Sequence, residues 1–230
     1  MSGLVADNLA RVRERIAVAA DRAGRDASEI TLIAVTKRQP IQILQEVLNA
    51  GAADMGENYV QEAQAKREAL GISSENGLPR WHLIGHLQSN KAKQSVALFD
   101  LIQSVDSLKL AQALAHQSLH QEKAQAVLIQ VHLGDEETKT GLAPEVALDV
   151  ISEIAALPGL DVQGLMGIAP GIGDPRPHFA FLRRLFERLP PVNRRTLSMG
   201  MTGDFETAIA EGATMVRIGT AIFGPRQCMD

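Results

Sequence analysis

VLIQVHL, residues 127–133, has five apolar residues in seven, and three of those are β-branched. A short, nearly continuous apolar run of this kind suits a strand buried on both faces, as in a parallel sheet. Helical patterns flank it. SLKLAQALAHQSLHQEKA (107–124) precedes it and PEVALDVISEIAAL (144–157) follows. A parallel strand needs a crossover of this length to reach its neighbour, so the unit reads as βαβ. Upstream, the alternation continues through LIQSV (101–105), a helix over 87–98, WHLIG (81–85) and a polar helix over 59–70 with its Gln, Lys and Glu outward. Before these come ADMGEN (53–58), a helix with Ile41, Leu44, Val47 and Leu48 on one face, and TLIAVTK (31–37). An opening helix carries Val5, Leu9, Val12, Ile16 and Ala19 at spacings of three and four, with Ser2 as N-cap and Gly24 as its stop. Downstream stand VQGLMGI (162–168), a helix marked by Phe179, Leu182, Phe186 and Leu189, then TLSMG (196–200), FETAIAEG (205–212) and TMVRIG (214–219).

That pattern gives eight strands separated by helices, without a linker or a shift in composition. It predicts one α/β domain over residues 1–230, a (β/α)8 TIM barrel near the lower size limit of that fold. A doubly wound open sheet is the competing arrangement. The count of eight, and the lack of a Gly-rich dinucleotide fingerprint after the first strand, favour the barrel.

Composition narrows the function. The chain has 230 residues, 45% hydrophobic and 22% charged, with a net charge of −4. A chain of this length buries about 70% of its extended surface, enough for a real core. No run of eighteen apolar residues predicts a membrane span. The acidic balance and 3% aromatic content argue against nucleic acid as a partner. The only cysteine, Cys228, cannot form an internal disulfide, and the first sixteen residues lack a signal-peptide apolar core. A reducing, cytoplasmic compartment is expected.

Barrel chemistry gathers at the C-terminal ends of the strands. Strand one ends in Thr36-Lys37-Arg38, strand two in Gly56-Glu57-Asn58, and strand three in Gly85-His86. Strand seven runs into Ser198-Met199-Gly200-Met201-Thr202, and strand eight carries Arg217 before Gly219-Thr220. A lysine at a barrel mouth beside another cation has a depressed pKa, and a neutral amine attacks carbonyls to form a Schiff base. The alternative is an exposed strand-end lysine paired with Glu57 or Asp54. Gly200 and Gly219 allow close backbone approach, while Ser198, Thr202 and Thr220 add hydroxyls, a combination suited to phosphate. Ordinary βα turns use the same residues. A Schiff-base lysine and a phosphate site together fit pyridoxal phosphate or a phosphosugar bound by an aldolase-like enzyme.

Other features read as structural. His116 and His120 have i, i+4 spacing but no further metal-ligand signature, so a solvated helix face is expected. His82 reads as a core residue. Asp135, Glu136 and Glu137 form an acidic loop without Ca²⁺-loop spacing, and Met166, Met199, Met201 and Met215 read as barrel-interior packing.

The segments AVTK (34–37), MGENYVQE (55–62), WHLIGHLQSNK (81–91), TKTGL (138–142), GLMGI (164–168), LSMGMTGDFETAI (197–209) and VRIGTAIFG (216–224) span nearly the whole chain. In that order they resemble the pyridoxal phosphate homeostasis protein family, which is similar to the barrel domain of alanine racemase. The resemblance implies a fold-type III barrel with pyridoxal phosphate on Lys37 as a Schiff base. It implies that Ser198, Met199, Gly200, Gly219 and Thr220 form the phosphate loops, that Asn58 lies near the ring, and that Arg217 faces the pyridine nitrogen. Arginine stays charged and donates, so it disfavours a protonated ring nitrogen and weakens the ring as an electron sink.

The racemase also needs a β-rich C-terminal domain, expected to be absent here, and a tyrosine base from a partner subunit. The only tyrosine is Tyr59, and the strand that brings a ring-stacking histidine in racemases reads GLMGI, with Met166. The resemblance thus implies a monomer that buffers pyridoxal phosphate or delivers it to apo-enzymes that use it. A pyridoxal-dependent enzyme acting on a small amino acid is the alternative. Two departures from the family pattern are Thr202, where a serine is common, and the tail FGPRQCMD, where many members carry a tyrosine.

Overall fold

A computed structural model describes residues 2–71, 79–134 and 140–225. Strands and helices alternate: α1 (Ser2–Arg22), β1 (Thr31–Val35), α2 (Ile41–Asn49), β2 (Asp54–Glu57), α3 (Val60–Ala69), β3 (Arg80–Leu83), α4 (Ala92–Leu98) and β4 (Leu101–Val105) come first. They continue with α5 (Leu108–His120), β5 (Gln125–Val131), α6 (Ala147–Ala155), β6 (Leu160–Gly167), α7 (Arg176–Glu187), β7 (Thr196–Ser198), α8 (Phe205–Ala210), β8 (Met215–Ile218) and α9 (Thr220–Phe223). The strands close in sequence order into an all-parallel barrel, with β1 beside β8. The predicted barrel is therefore observed, and the open sheet is excluded. No helix among the described residues is long and apolar enough to cross a membrane.

Alternation along the strands sorts side chains into two layers. Ile33, Leu101, Leu128, Met166 and Met215 fill the barrel interior, a small apolar cluster of its own. The larger cluster lies between sheet and helices. It includes Leu9, Val12 and Ile16 of α1, Leu44 and Val47 of α2, Phe179 and Leu182 of α7, and the outward residues Ala34, Met55, Ile129 and Leu197 of the strands.

Three expectations are corrected here. Met199 packs in the outer layer, because the turn from inward Ser198 sends the next side chain outward. Met201 is exposed on the loop that follows. Lys66 does not face solvent but shares the inner stripe of α3 with Val60 and Ala63. In addition, β7 and β8 stop short of Gly200 and Gly219, and a single helical turn, α9, follows β8 at once. Cys228, the altered tail from 226 onward and the acidic loop 135–137 lie outside the described residues.

Candidate functional site at the C-terminal mouth of the barrel

Lys37 stands two residues beyond β1, half-buried. Along β1, Ile33 belongs to the inner layer and Ala34 to the outer one. The same alternation carries Thr36 outward and sets Lys37 on the inward side. Thr36 continues the ladder, its N–H donating to Gly56 O at 3.0 Å.

Beneath that turn lies a buried ionic cluster. The Lys66 ammonium donates to Thr36 O at 2.6 Å, to Glu57 Oε1 at 2.7 Å and to Glu62 Oε1 at 2.7 Å. Thr36 Oγ1 donates to the same Glu57 oxygen at 2.5 Å, and the Arg38 N–H donates to Glu62 at 2.5 Å. Burial pushes the Glu57 carboxyl above the usual range, while the Lys66 cation and the Thr36 hydroxyl pull it back. This cluster ties the Lys37 turn to α3, and it holds Arg38 at the uncommon φ of +60°. Glu57 therefore serves as an anchor for the turn. Asp54, the other suggested partner of Lys37, lies at the opposite end of β2 against His82.

Asn58 follows β2 on the same rim, half-buried. A Cβ at Gly85 would sit 2.4 Å from Asn58 O and 2.6 Å from its Cα, so only glycine lets these two strand ends meet. Gly85→Ala is expected to displace Asn58 and destabilise the fold by about 1–3 kcal/mol, the usual range for overpacking, measured by denaturant unfolding.

Across the mouth, the loops after β7 and β8 interlock. Gly200 has φ +92°, and a Cβ there would lie 2.6 Å from Ala208 Cβ and 2.9 Å from Phe205 Cα. Its carbonyl accepts from Arg217 N at 3.0 Å. Gly219 caps α9, and Thr202 Oγ1 accepts from Ala221 N at 3.4 Å. The Thr202 hydroxyl thus stands at the start of α9, where helical geometry leaves N–H groups without intrahelical partners. Thr220 is exposed at the same place. The structure brings Gly200, Thr202, Gly219 and Thr220 together as a donor-rich rim. Met199 contributes backbone only, since its side chain is fully buried in the outer layer.

Ser198 and Arg217 sit deeper. Arg217 is 4% exposed; its NH1 donates to Ser198 Oγ at 2.7 Å and its NH2 to Gly167 O at 2.9 Å. Among the described residues no carboxylate pairs with it. Burial lowers its pKa to about 10, against the opposing pull of Asp204, and it remains a cation at neutral pH. Ser198 Oγ donates in turn to Gln103 Oε1 at 2.7 Å, so the Ser198 hydroxyl is engaged below the rim.

Sequence reasoning missed Gln103, Lys66 and the position of His132. Gln103 sits in LIQSV at an inward position that alternation alone identifies. Lys66 was hidden because a Glu62–Lys66 pair at i, i+4 also describes an exposed helix face. His132 follows β5, and alternation with inward Leu128 sets it on the mouth side; its Nε2 is buried with no hydrogen-bond partner among the described residues. Met166 lies deep in the barrel, and the residue of GLMGI nearer the mouth is half-buried Ile168. Tyr59 is exposed as the N-cap residue of α3. His116 and His120 are exposed as expected, and no group of three metal-ligating side chains occurs among the described residues.

The donor set fits pyridoxal phosphate. An inward amine, the paired glycine loops with the Thr202 and Thr220 hydroxyls, and a buried guanidinium that pairs with no described carboxylate match an aldehyde, a phosphate and a ring nitrogen.

Comparison with known proteins agrees with this geometry. Residues 8–227 match the model of the alanine racemase N-terminal domain. The chain is 42% identical over 224 residues to the pyridoxal phosphate homeostasis protein of Pseudomonas aeruginosa, covering 96% of each. Among solved structures it is similar to PipY of Synechococcus elongatus with PLP bound, at TM-score 0.80 and 34% identity, covering 96% of this chain and 100% of that one. An alanine racemase of Clostridium difficile shares the fold at TM-score 0.76 but only 16% identity, and this chain covers 58% of it. All described strands belong to the barrel, so the racemase's remaining part has no counterpart among them. The chain belongs to the pyridoxal phosphate homeostasis protein family.

Proposed function

We propose that this chain is one pyridoxal phosphate-binding domain that holds the cofactor as a Schiff base on Lys37 and buffers or delivers it within the cytoplasm. The observation that carries the reading is the buried Arg217 guanidinium, unpaired with any described carboxylate, at the mouth that Lys37 enters. The 34% identical PipY structure has PLP bound, which supports the same group as the ligand of this chain. When bound, the group supplies an electrophilic aldehyde and an electron-withdrawing ring. Lys37 provides the amine. The Gly200 and Gly219 loops, with Thr202 and Thr220, accept the phosphate, and Asn58 flanks the ring. Arg217 donates to the ring nitrogen and, being protonated already, has no proton to accept from it. A ring held this way is a weak electron sink, which suits holding and release better than carbanion chemistry.

The partners are then the cofactor and the apo-enzymes that receive it, and the chain acts as a monomer. Mixing the loaded protein with a pyridoxal-dependent apo-enzyme tests delivery. Reactivation faster than with an equal concentration of free cofactor is expected, and an equal or slower rate would remove the delivery role.

One observation favours an enzymatic reading, namely His132 on the mouth side of β5, its buried Nε2 unpartnered among the described residues. It would supply the second base that racemisation requires. In deuterated water with single amino acids, the loaded protein is expected to exchange α-protons no faster than free cofactor. Faster exchange, lost in His132→Ala, would establish catalysis instead.

A further inference from the structure

A file of buried side chains from five strands crosses the barrel interior, from the mouth toward the opposite floor. Arg217 (β8) donates to Ser198 (β7) at 2.7 Å, and Ser198 donates to Gln103 Oε1 (β4) at 2.7 Å. Gln103 Nε2 lies 3.1 Å from His82 Nδ1 (β3), and His82 Nε2 lies 2.8 Å from Asp54 Oδ1 (β2). Ser198, Gln103 and His82 are wholly buried. Only the ends approach solvent: Asp54 faces the half-exposed Arg80 at 3.8 Å. The apolar cluster of Ile33, Leu101, Leu128, Met166 and Met215 shares the interior with the file, and Met215 Sδ receives Gln103 Nε2 at 3.1 Å.

The two ends fix the direction of every bond between them. A guanidinium only donates and a carboxylate only accepts. Because Arg217 donates to Ser198, the serine proton must go to an acceptor, and Gln103 Oε1 is the one in reach. That leaves the Gln103 amide N–H for His82, so Nδ1 accepts and carries no proton. The single imidazole proton then sits on Nε2 and is donated to Asp54.

We propose that Gln103 is the positioning residue for the ring end of the pyridoxal phosphate site. It holds the Ser198 proton, which keeps a serine lone pair turned to Arg217 NH1, while Gly167 O holds NH2. The guanidinium is thereby fixed at two points. Without the Gln103 acceptor the serine hydroxyl rotates, its proton turns on the cation, and the orientation of Arg217 is lost. His82 and Asp54 stand behind Gln103 and set which way its amide faces. The proposal rests on the reading of the mouth as a pyridoxal phosphate site.

Two measurements test it. On ligand-free wild type, imidazole ¹⁵N shifts are expected to show His82 as the neutral Nε2–H tautomer. A proton on Nδ1 would reverse the file and overturn the proposal whether or not a cofactor binds. On loaded protein, Gln103→Leu is expected to bind pyridoxal phosphate at least about tenfold more weakly, the worth of one charge-assisted hydrogen bond. Gln103→Glu keeps the acceptor for Ser198 and is expected to restore affinity to within about threefold of wild type, while forcing a proton onto His82 Nδ1. Borohydride trapping on Lys37 reports the underlying reading separately. Trapping in wild type with unchanged affinity in Gln103→Leu overturns the positioning role alone. No trapping in wild type overturns the site reading and this inference with it. If Gln103→Leu does not fold, the wild-type tautomer and Gln103→Glu decide the matter.

Discussion

Replacing Lys66 by methionine is expected to destabilise the fold by about 3–5 kcal/mol, because it leaves the wholly buried Glu57 carboxylate without its cation. The methionine stem keeps most of the packing along α3, so the loss reports charge rather than volume. The pH dependence identifies the mechanism. Burial already raises the Glu57 pKa in the folded state, and the Lys66 cation is the strongest influence that lowers it. Without Lys66 the folded pKa rises further above its unfolded value. A carboxyl with a raised folded pKa favours the fold most below its unfolded pKa, and that contribution is lost as pH rises through the folded pKa. The deficit of Lys66→Met is therefore expected to shrink from pH 8 toward the acid side of the carboxylate range, measured by urea unfolding at several pH values. A deficit that stays constant with pH would mean that packing, not the buried charge, holds α3 to the Lys37 turn. The double variant Lys66→Met, Glu57→Gln is expected to recover most of the loss, since an uncharged amide needs no cation.

Lys37→Ala is expected to abolish borohydride-stable incorporation of pyridoxal phosphate altogether, with folding unchanged. Backbone contacts of Thr36 and Arg38 to Lys66 and Glu62 hold the turn that carries Lys37. Thermal unfolding of the variant is thus expected to follow wild type closely. The rim and Arg217 are retained, so reversible binding of pyridoxal phosphate, seen by fluorescence titration, is expected to persist at reduced affinity. Loss of both covalent and reversible binding in a folded variant would mean that the β7 and β8 loops do not hold the phosphate.

Why the barrel was legible is plain from its strands. Fully buried parallel strands must be apolar, and runs such as VLIQVHL and LIQSV therefore stand out between helical patterns. Strand ends were less clear. β7 ends at Ser198 and β8 at Ile218, because Gly200 and Gly219 leave the extended conformation to form the rim. Sequence also marked Lys37, Arg217 and the glycine loops, since each sits at a strand end where barrel chemistry collects. What it did not disclose depended on which way side chains point across the barrel. Ser198 reads as a phosphate hydroxyl when its neighbours in sequence are considered. Its partners, Arg217 and Gln103, lie 19 and 95 residues away, and they engage it below the rim. Lys66 reads as exposed for the same reason, because its partner Glu57 belongs to another element. Met199 and Met201 look alike in sequence, yet one packs in the outer layer and the other is exposed, because the chain turns at Gly200 between them.

The most direct test of the central claim is to load the purified protein with pyridoxal phosphate, record its visible spectrum, reduce it with borohydride and map the modified peptide. The account predicts an absorption band that borohydride removes, and a single pyridoxyl group on Lys37. No band after loading, or a label distributed over surface lysines with Lys37 unmodified, would contradict it.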